Sequence, residues 1–338
     1  MPKLIIHIGT HKTGTTTIQH QLYNSRDALL SNGILYPTYA EFLNKKDHYA
    51  HLDIAKAIMN ESKVLSLKDV KTFFDNVYSY SVSHNIGTVI ISAEPFYRGK
   101  LVTGDGEYWE GRLLFIEKLR SLIPFEDIEL ALVFRRQDNY LESLYNEHIK
   151  VTRYSKDIFS FYSDFSHRFD YKRQIEVWRK VFPIIKVETF ENLISNKSLT
   201  EDFLKFLGVD FEGEIVSLNH SSNVSWPVEL VELKRILNGS YLKNSELDNF
   251  RKIFSGKNLN KTMKFVNNGT RLSSEYRRFI LETHEADNDH IARDFIANDR
   301  ALFNMDISNN SVLSNGYNVE SAVALLYRIH SGSKDNVK

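Results

Sequence analysis

Leu4-Ile5-Ile6-His7-Ile8-Gly9-Thr10-His11-Lys12-Thr13-Gly14-Thr15-Thr16-Thr17 is an apolar run followed by a glycine-spaced basic loop and a string of threonines. The order predicts a buried strand ending at Gly9, a loop pivoting on Gly14 and a helix opening at Thr15 to Thr17. Such a turn leaves several backbone N–H groups facing one concavity, and the helix N-terminus adds partial positive charge, so the pair binds anions. Lys12 adds a cation, and Thr13, Thr15, Thr16 and Thr17 add hydroxyl donors. His11 is read as a ligand contact and His7 as sheet packing. The stretch reads as a phosphate cradle, against the plainer alternative of a Gly/Thr turn before a surface helix.

Outward from this loop, Thr88 to Ser92 is a second apolar run and leads to Glu94. Ile128 to Phe134 is the most apolar run and is closed by Arg135 and Arg136, and Ile184 to Phe190 is a further strand. Helical spacing fills the intervals. Ile18, Leu22, Leu29 and Leu30 share one face up to Asn32-Gly33, and Val70, Phe73, Phe74 and Val77 recur over 66–84. Helices are also expected over 112–122, 157–181, 199–207 and 272–297. Asp138 is read as a cap for a helix in which Leu141, Leu144, Tyr145 and Ile149 face inward and Asn139, Ser143 and Asn146 outward.

Strands alternating with helices predict a P-loop-like, doubly wound parallel sheet flanked by helices, with a mainly helical C-terminal extension. Residues 1–210 form the α/β core, 211–303 a helical lobe completing the same domain, and 304–338 a linker with a last amphipathic helix over 319–329. Gly9, Glu94 and Arg135 all fall at strand carboxyl ends, where ligands bind in such sheets. Residues 38–52 are expected to line a substrate cleft. Residues 98–111 are expected to form a mobile loop beside the site, and 219–225 a polar loop.

The 338 residues carry 43 basic and 43 acidic side chains, a formal net charge of zero that argues against a nucleic-acid-coating protein. There is no cysteine, so disulfides, thiolate nucleophiles and cysteine metal sites are excluded. His48-x-x-His51 has no third ligand at a recognisable spacing, so no metal is expected. No stretch reaches the ~18 apolar residues of a membrane span. The N-terminal apolar run is too short for a signal peptide, and a cytoplasmic location is expected.

The glycines fit the pattern G-x-x-x-x-G-K-[ST] at Gly9 and Gly14, but Thr15 stands where that pattern has lysine, and Lys12 lies three residues earlier. This variant resembles the sulfotransferase loop, which holds the 5′-phosphosulfate end of PAPS (3′-phosphoadenosine 5′-phosphosulfate). Leu132-Val-Phe-Arg-Arg-Gln-Asp-Asn-Tyr-Leu-Glu-Ser-Leu-Tyr145 carries the second half of the resemblance. The family holds the 3′-phosphate with a strand-end arginine and a serine eight residues later, the spacing of Arg135 and Ser143. The double arginine, the Ser-Leu-Tyr sequence and Asn288-Asp-His-Ile-Ala-Arg293 with Leu302-Phe303 look like bacterial sulfotransferases of surface polysaccharides.

That resemblance implies in-line transfer of the sulfuryl group of PAPS to a carbohydrate hydroxyl, leaving 3′,5′-ADP, with no metal required. Lys12 would stabilise charge on the bridging oxygen, and Thr15, Thr16 and backbone donors would hold the 5′-phosphate. Glu94 ranks first as the base, because family members carry a catalytic histidine at the end of the second strand; Glu41, His48 and His51 remain candidates. Glu94 reads equally well as a structural carboxylate orienting Lys12 or an arginine. The alternatives are a P-loop kinase or NTPase using ATP and Mg²⁺, and a non-catalytic nucleotide-binding protein.

Overall fold

The computed structural model describes residues 1–102, 107–195, 198–217, 226–253, 270–296 and 300–307. Strands β1 (Lys3–Gly9), β2 (Ile34–Leu35), β3 (Thr88–Ser92), β4 (Ile128–Phe134) and β5 (Ile185–Thr189) form a parallel sheet in the order β2-β3-β1-β4-β5. Helices α1 (Thr15–Asn24) and α2 (Arg26–Ser31) follow β1, and α3 (Tyr39–Leu43), α4 (Leu52–Ile58) and α5 (Leu67–Ser83) follow β2. Next come α6 (Pro95–Arg98) and α7 (Tyr108–Ser121) after β3, then α8 (Gln137–Val151), α9 (Ile158–Asp164) and α10 (Tyr171–Arg179) after β4. The helices α11 (Phe190–Leu193), α12 (Leu199–Leu207), α13 (Val228–Asn238), α14 (Asn244–Ile253) and α15 (Ser274–Phe295) follow β5. No described helix is long and apolar enough to cross a membrane.

The strands are apolar on both sides because helices cover both faces of the sheet. Ile5, Ile90, Ala131 and Val133 face a core completed by Ile18 and Leu22 of α1, Leu29 of α2, and Phe203 and Leu207 of α12. On the opposite face Phe134 stacks on Tyr171 of α10 at 4.2 Å and meets Tyr97 of α6. This is the doubly wound parallel sheet that the sequence predicts. His7 lies opposite both Ser92 and Ala131, and Gly9 opposite Val133, so β1, β3 and β4 finish together. The chain passes from β3 over β1 to β4, which places the loop after β1 where the strand order reverses, the usual ligand position in such sheets. At the sheet edges, β2 is two residues long, while on β5 Lys186 pairs with Glu129 at 2.7 Å and Glu188 with Arg300 at 2.7 Å.

Two compact units divide the chain. Met1–Arg136, Arg168–Asn219 and His284–Asn304 make the sheet unit. The other unit is helical and built on α8, α9, α13, α14 and the first part of α15. Within it, Arg277 of α15 donates to Asp138 Oδ2 at 2.7 Å and also to Glu142, both on α8. Asn238 of α13 clasps the end of α8 by donating to the carbonyls of Ile149 at 3.1 Å and Tyr154 at 2.9 Å.

Several boundaries differ from the sequence reading. The first helix breaks at Ser25, so Leu30 leaves the buried face and is 37 % exposed. The aromatic stretch 157–181 is two helices, because Asp157 and Asp170 each accept a backbone N–H three residues on and start a new helix. Asp138 does not cap α8: it lies inside the first turn, fully buried against Arg277. The loop expected over 98–111 is shorter, since Arg98 closes α6 and Tyr108 opens α7; residues 103–106 lie outside the described residues, as do the whole of the polar loop 219–225 and the C-terminal helix expected over 319–329.

Candidate functional site

Gly9 ends β1 because its missing side chain is required there. A Cβ would lie 2.4 Å from Thr15 Cγ2 and 3.0 Å from His7 Nε2. Gly14 sits at φ 71°, and a Cβ there would meet Leu199 Cδ2 at 2.6 Å. No side chain caps α1, and its first turn holds no acidic residue. Its opening N–H groups therefore keep the partial positive charge of a helix start.

Lys12 also has a left-handed backbone, at φ 70°. For a residue with a Cβ this costs about 1–2 kcal/mol, so the surroundings must impose it. They do so by hydrogen bonds. Arg135 Nη1 donates to the Lys12 carbonyl at 2.9 Å, Thr13 Oγ1 to the Thr10 carbonyl at 2.7 Å, and Thr10 Oγ1 to the Val133 carbonyl at 3.0 Å. Arg135 is itself placed by its carbonyl, which accepts from the Tyr171 hydroxyl at 2.7 Å, and by its guanidinium lying over the Phe190 ring at 5.3 Å.

Beneath the loop runs a buried polar chain. Thr15 Oγ1 donates to Glu94 Oε1 at 2.5 Å, and Gln19 Nε2 donates to Ser92 Oγ at 3.0 Å and to Glu94 Oε2 at 3.4 Å. Ser92 Oγ also meets His7 Nδ1 at 2.8 Å. Burial opposes the charge on Glu94. It is outweighed by His11 when that ring is protonated, by the Thr15 hydroxyl, by a backbone N–H and by Gln19, so the carboxyl stays below its ordinary range. The Thr15 hydroxyl is thus engaged by Glu94. Thr16 is half-buried and Thr17 exposed.

His11 is held neutral, its pKa lowered to about 4 by burial; Glu94 pulls it up, while Arg98, Arg168 and Lys12 push it down. Arg98 and Arg168 therefore belong to the electrostatics of the loop, although neither lies in a motif. Arg98 follows Glu94 by four residues, one helical turn away, and that spacing was the available signal. Gln19 follows Thr15 by four on α1 and had the same signal.

The other candidates have local employment. His51 is buried and uses both ring nitrogens: Nε2 donates to the Pro37 carbonyl at 2.8 Å, and Nδ1 accepts the Ser92 N–H at 3.1 Å. It is a clasp on the end of β3. Glu41 accepts from the Thr38 hydroxyl at 2.9 Å in the first turn of α3 and lies 3.8 Å from Arg26. His48 Nδ1 accepts the Ala50 N–H at 3.0 Å. Ser143 is a half-buried residue of α8 in the helical unit. Glu94 follows the third strand of the chain rather than the second, because Ile34–Leu35 is a strand.

Burial of His7 and His51 carries a pH consequence. Both fall from 6.5 to about 4, desolvation being the main cause. The unfolded chain therefore binds the extra protons, so this stability is fully present above pH 6.5 and is lost as pH falls toward 4. With His11, which falls to about 4 as well, urea unfolding at stepped pH is expected to show uptake of about three protons between about pH 4.5 and 6, a slope approaching about 4 kcal/mol per pH unit. A flat profile there would mean that none of the three rings is buried neutral.

No family model matches the sequence, and no curated protein matches it. Among solved structures, the crystal structure of a sulfotransferase from Alicyclobacillus acidocaldarius is similar at 14 % identity with a TM-score of 0.36, over 73 % of this chain and 99 % of that one.

Proposed function

We propose that the loop from Gly9 to Thr17 holds the 5′-phosphosulfate end of PAPS and that the protein is a sulfotransferase acting on a carbohydrate hydroxyl. What supports the reading most is the hydrogen bond from Arg135 to the Lys12 carbonyl, which makes the two halves of the sequence resemblance parts of one built cradle. The donor set suits the ligand: backbone N–H groups of the loop, the uncapped start of α1, and Lys12, with Arg98 and Arg168 adding positive charge. When bound, PAPS supplies the sulfuryl group and leaves as 3′,5′-ADP, the bridging S–O bond breaking as the acceptor O–S bond forms.

Lys12 places its ammonium to neutralise charge growing on the departing phosphate oxygen. Glu94 receives the acceptor proton at Oε2, whose contact from Gln19 is long, while Oε1 stays with Thr15. Arg135 binds the 3′-phosphate. The acceptor is a glycan of a surface-polysaccharide precursor, sulfated in a bacterial cytoplasm.

Calorimetric titration with 3′,5′-ADP, against ATP plus Mg²⁺, tests this. Metal-independent binding of 3′,5′-ADP is expected, weakened at least about tenfold in Arg135→Ala through loss of charge-assisted hydrogen bonds. A preference for ATP plus Mg²⁺ would replace the reading with a kinase or NTPase.

A further inference from the structure

Beside Glu94 stands a cluster that the cradle does not use. The His20 ring stacks on Tyr49 with centroids 3.5 Å apart and planes 23° apart, and the His48 ring stacks on Tyr49 at 4.2 Å and 30°. Two rings cannot share one face of a phenol at those distances, so the imidazoles clamp Tyr49 from both sides. Both flanks of the clamp are tied to the strand end that carries Glu94. His20 follows Gln19, which donates to Ser92 and Glu94. Two residues beyond Tyr49, His51 exchanges hydrogen bonds with Ser92: its N–H donates to the Ser92 carbonyl at 3.0 Å and its Nδ1 accepts the Ser92 N–H. The Tyr36 hydroxyl fixes the Tyr49 carbonyl at 2.8 Å.

All three rings are half-buried. Among the described residues the Tyr49 hydroxyl, the His20 ring nitrogens and His48 Nε2 have no hydrogen-bond partner. His48 Nδ1 is engaged locally, 3.0 Å from the Ala50 amide nitrogen and 3.1 Å from the Ala50 carbonyl oxygen, which leaves Nε2 to face a ligand. Burial, and then the charge on Glu94, hold the Tyr49 phenol above its ordinary range, so it stays a donor. Burial and then His48 lower His20, which keeps it neutral at neutral pH. The two imidazoles lie on opposite faces of Tyr49 and cannot share a metal ion.

We infer that the clamped trio His20, Tyr49 and His48 is the acceptor subsite and takes a neutral pyranose through its hydroxyls. Uncharged donors and acceptors on rigid rings match alternating sugar hydroxyls, and an anionic group would find no cation among them. This rests on the sulfotransferase reading only for the word acceptor; binding of the sugar is tested separately.

The probe is saturation-transfer NMR with the methyl glycosides of glucose, galactose and N-acetylglucosamine, each with excess 3′,5′-ADP, on the wild-type chain and on Tyr49→Phe and His48→Ala. Tyr49→Phe keeps the stacked ring and removes only the hydroxyl. The inference expects ring-proton signals from at least one glycoside in the wild type, with affinity falling about tenfold in each variant. The affinity for 3′,5′-ADP should stay within about twofold of wild type in both. Absence of signal from all three glycosides in the wild type, or affinities unchanged in both variants, overturns it. Should the glycoside signals depend on Tyr49 while 3′,5′-ADP fails to bind, the subsite stands and the sulfotransferase reading falls.

Discussion

Lys12→Ala is expected to lower sulfuryl transfer by about 10²- to 10³-fold, the range for removing one fixed group that meets charge developing in a transition state. The loss should fall on kcat more than on binding, because the loop N–H groups and α1 still hold the phosphate. Alanine has the same difficulty as lysine at φ 70°, so the folded state should change little. Lys12→Gly provides the control. Glycine adopts the left-handed conformation without steric cost, so this variant should be as inactive as Lys12→Ala and no less stable to heat than the wild type. Activity within about threefold of wild type in both variants would remove Lys12 from the chemistry.

At Glu94, two substitutions separate the base from the scaffold. Glu94→Gln keeps an acceptor for the Thr15 hydroxyl but cannot take a proton, and is expected to lower transfer by about 10²- to 10⁴-fold with a modest loss of stability. Glu94→Leu leaves the Thr15 hydroxyl and Gln19 amide facing an apolar side chain inside the protein. Leaving those two donors unsatisfied should cost about 2–5 kcal/mol, read as a lower urea midpoint at unchanged slope. Near-normal transfer by Glu94→Gln, with Glu94→Leu unstable, would make Glu94 purely the strut of Thr15 and Gln19.

The sheet was legible because its strands are short, nearly continuous apolar runs, as strands covered on both faces must be. Glycine and the helix caps marked many of the ends; Leu199 to Leu207 and Gly208 coincide with α12 and its left-handed cap. The errors arose where local signals competed. Asp138 has the look of a helix cap, but its partner Arg277 lies 139 residues away, and no local pattern carries that pairing. Asp157 and Asp170 were caps that the aromatic spacing concealed.

In the candidate site, the loop from Gly9 to Thr17 was visible because its glycines, lysine and threonines are contiguous in sequence. The tie from Thr15 to Glu94 spans 79 residues, and that between His51 and Ser92 spans 41. The first depends on the register of β1 beside β3, the second on how the segment after β2 meets the end of β3. Residue type and strand-end position ranked Glu94 ahead of Glu41, His48 and His51, but the partners of these side chains lie too far along the chain for any local pattern to carry.

The edges of the sheet bear on how the protein behaves when crowded with copies of itself. A parallel sheet ending in bare strands offers unpaired N–H and C=O groups to any extended segment nearby, the geometry from which fibrils grow. Here β2 is too short to template such pairing, and β5 carries Lys186 and Glu188, whose charges an added strand would have to bury. A sheet so apolar in its interior is thereby protected from aggregation along its own margins.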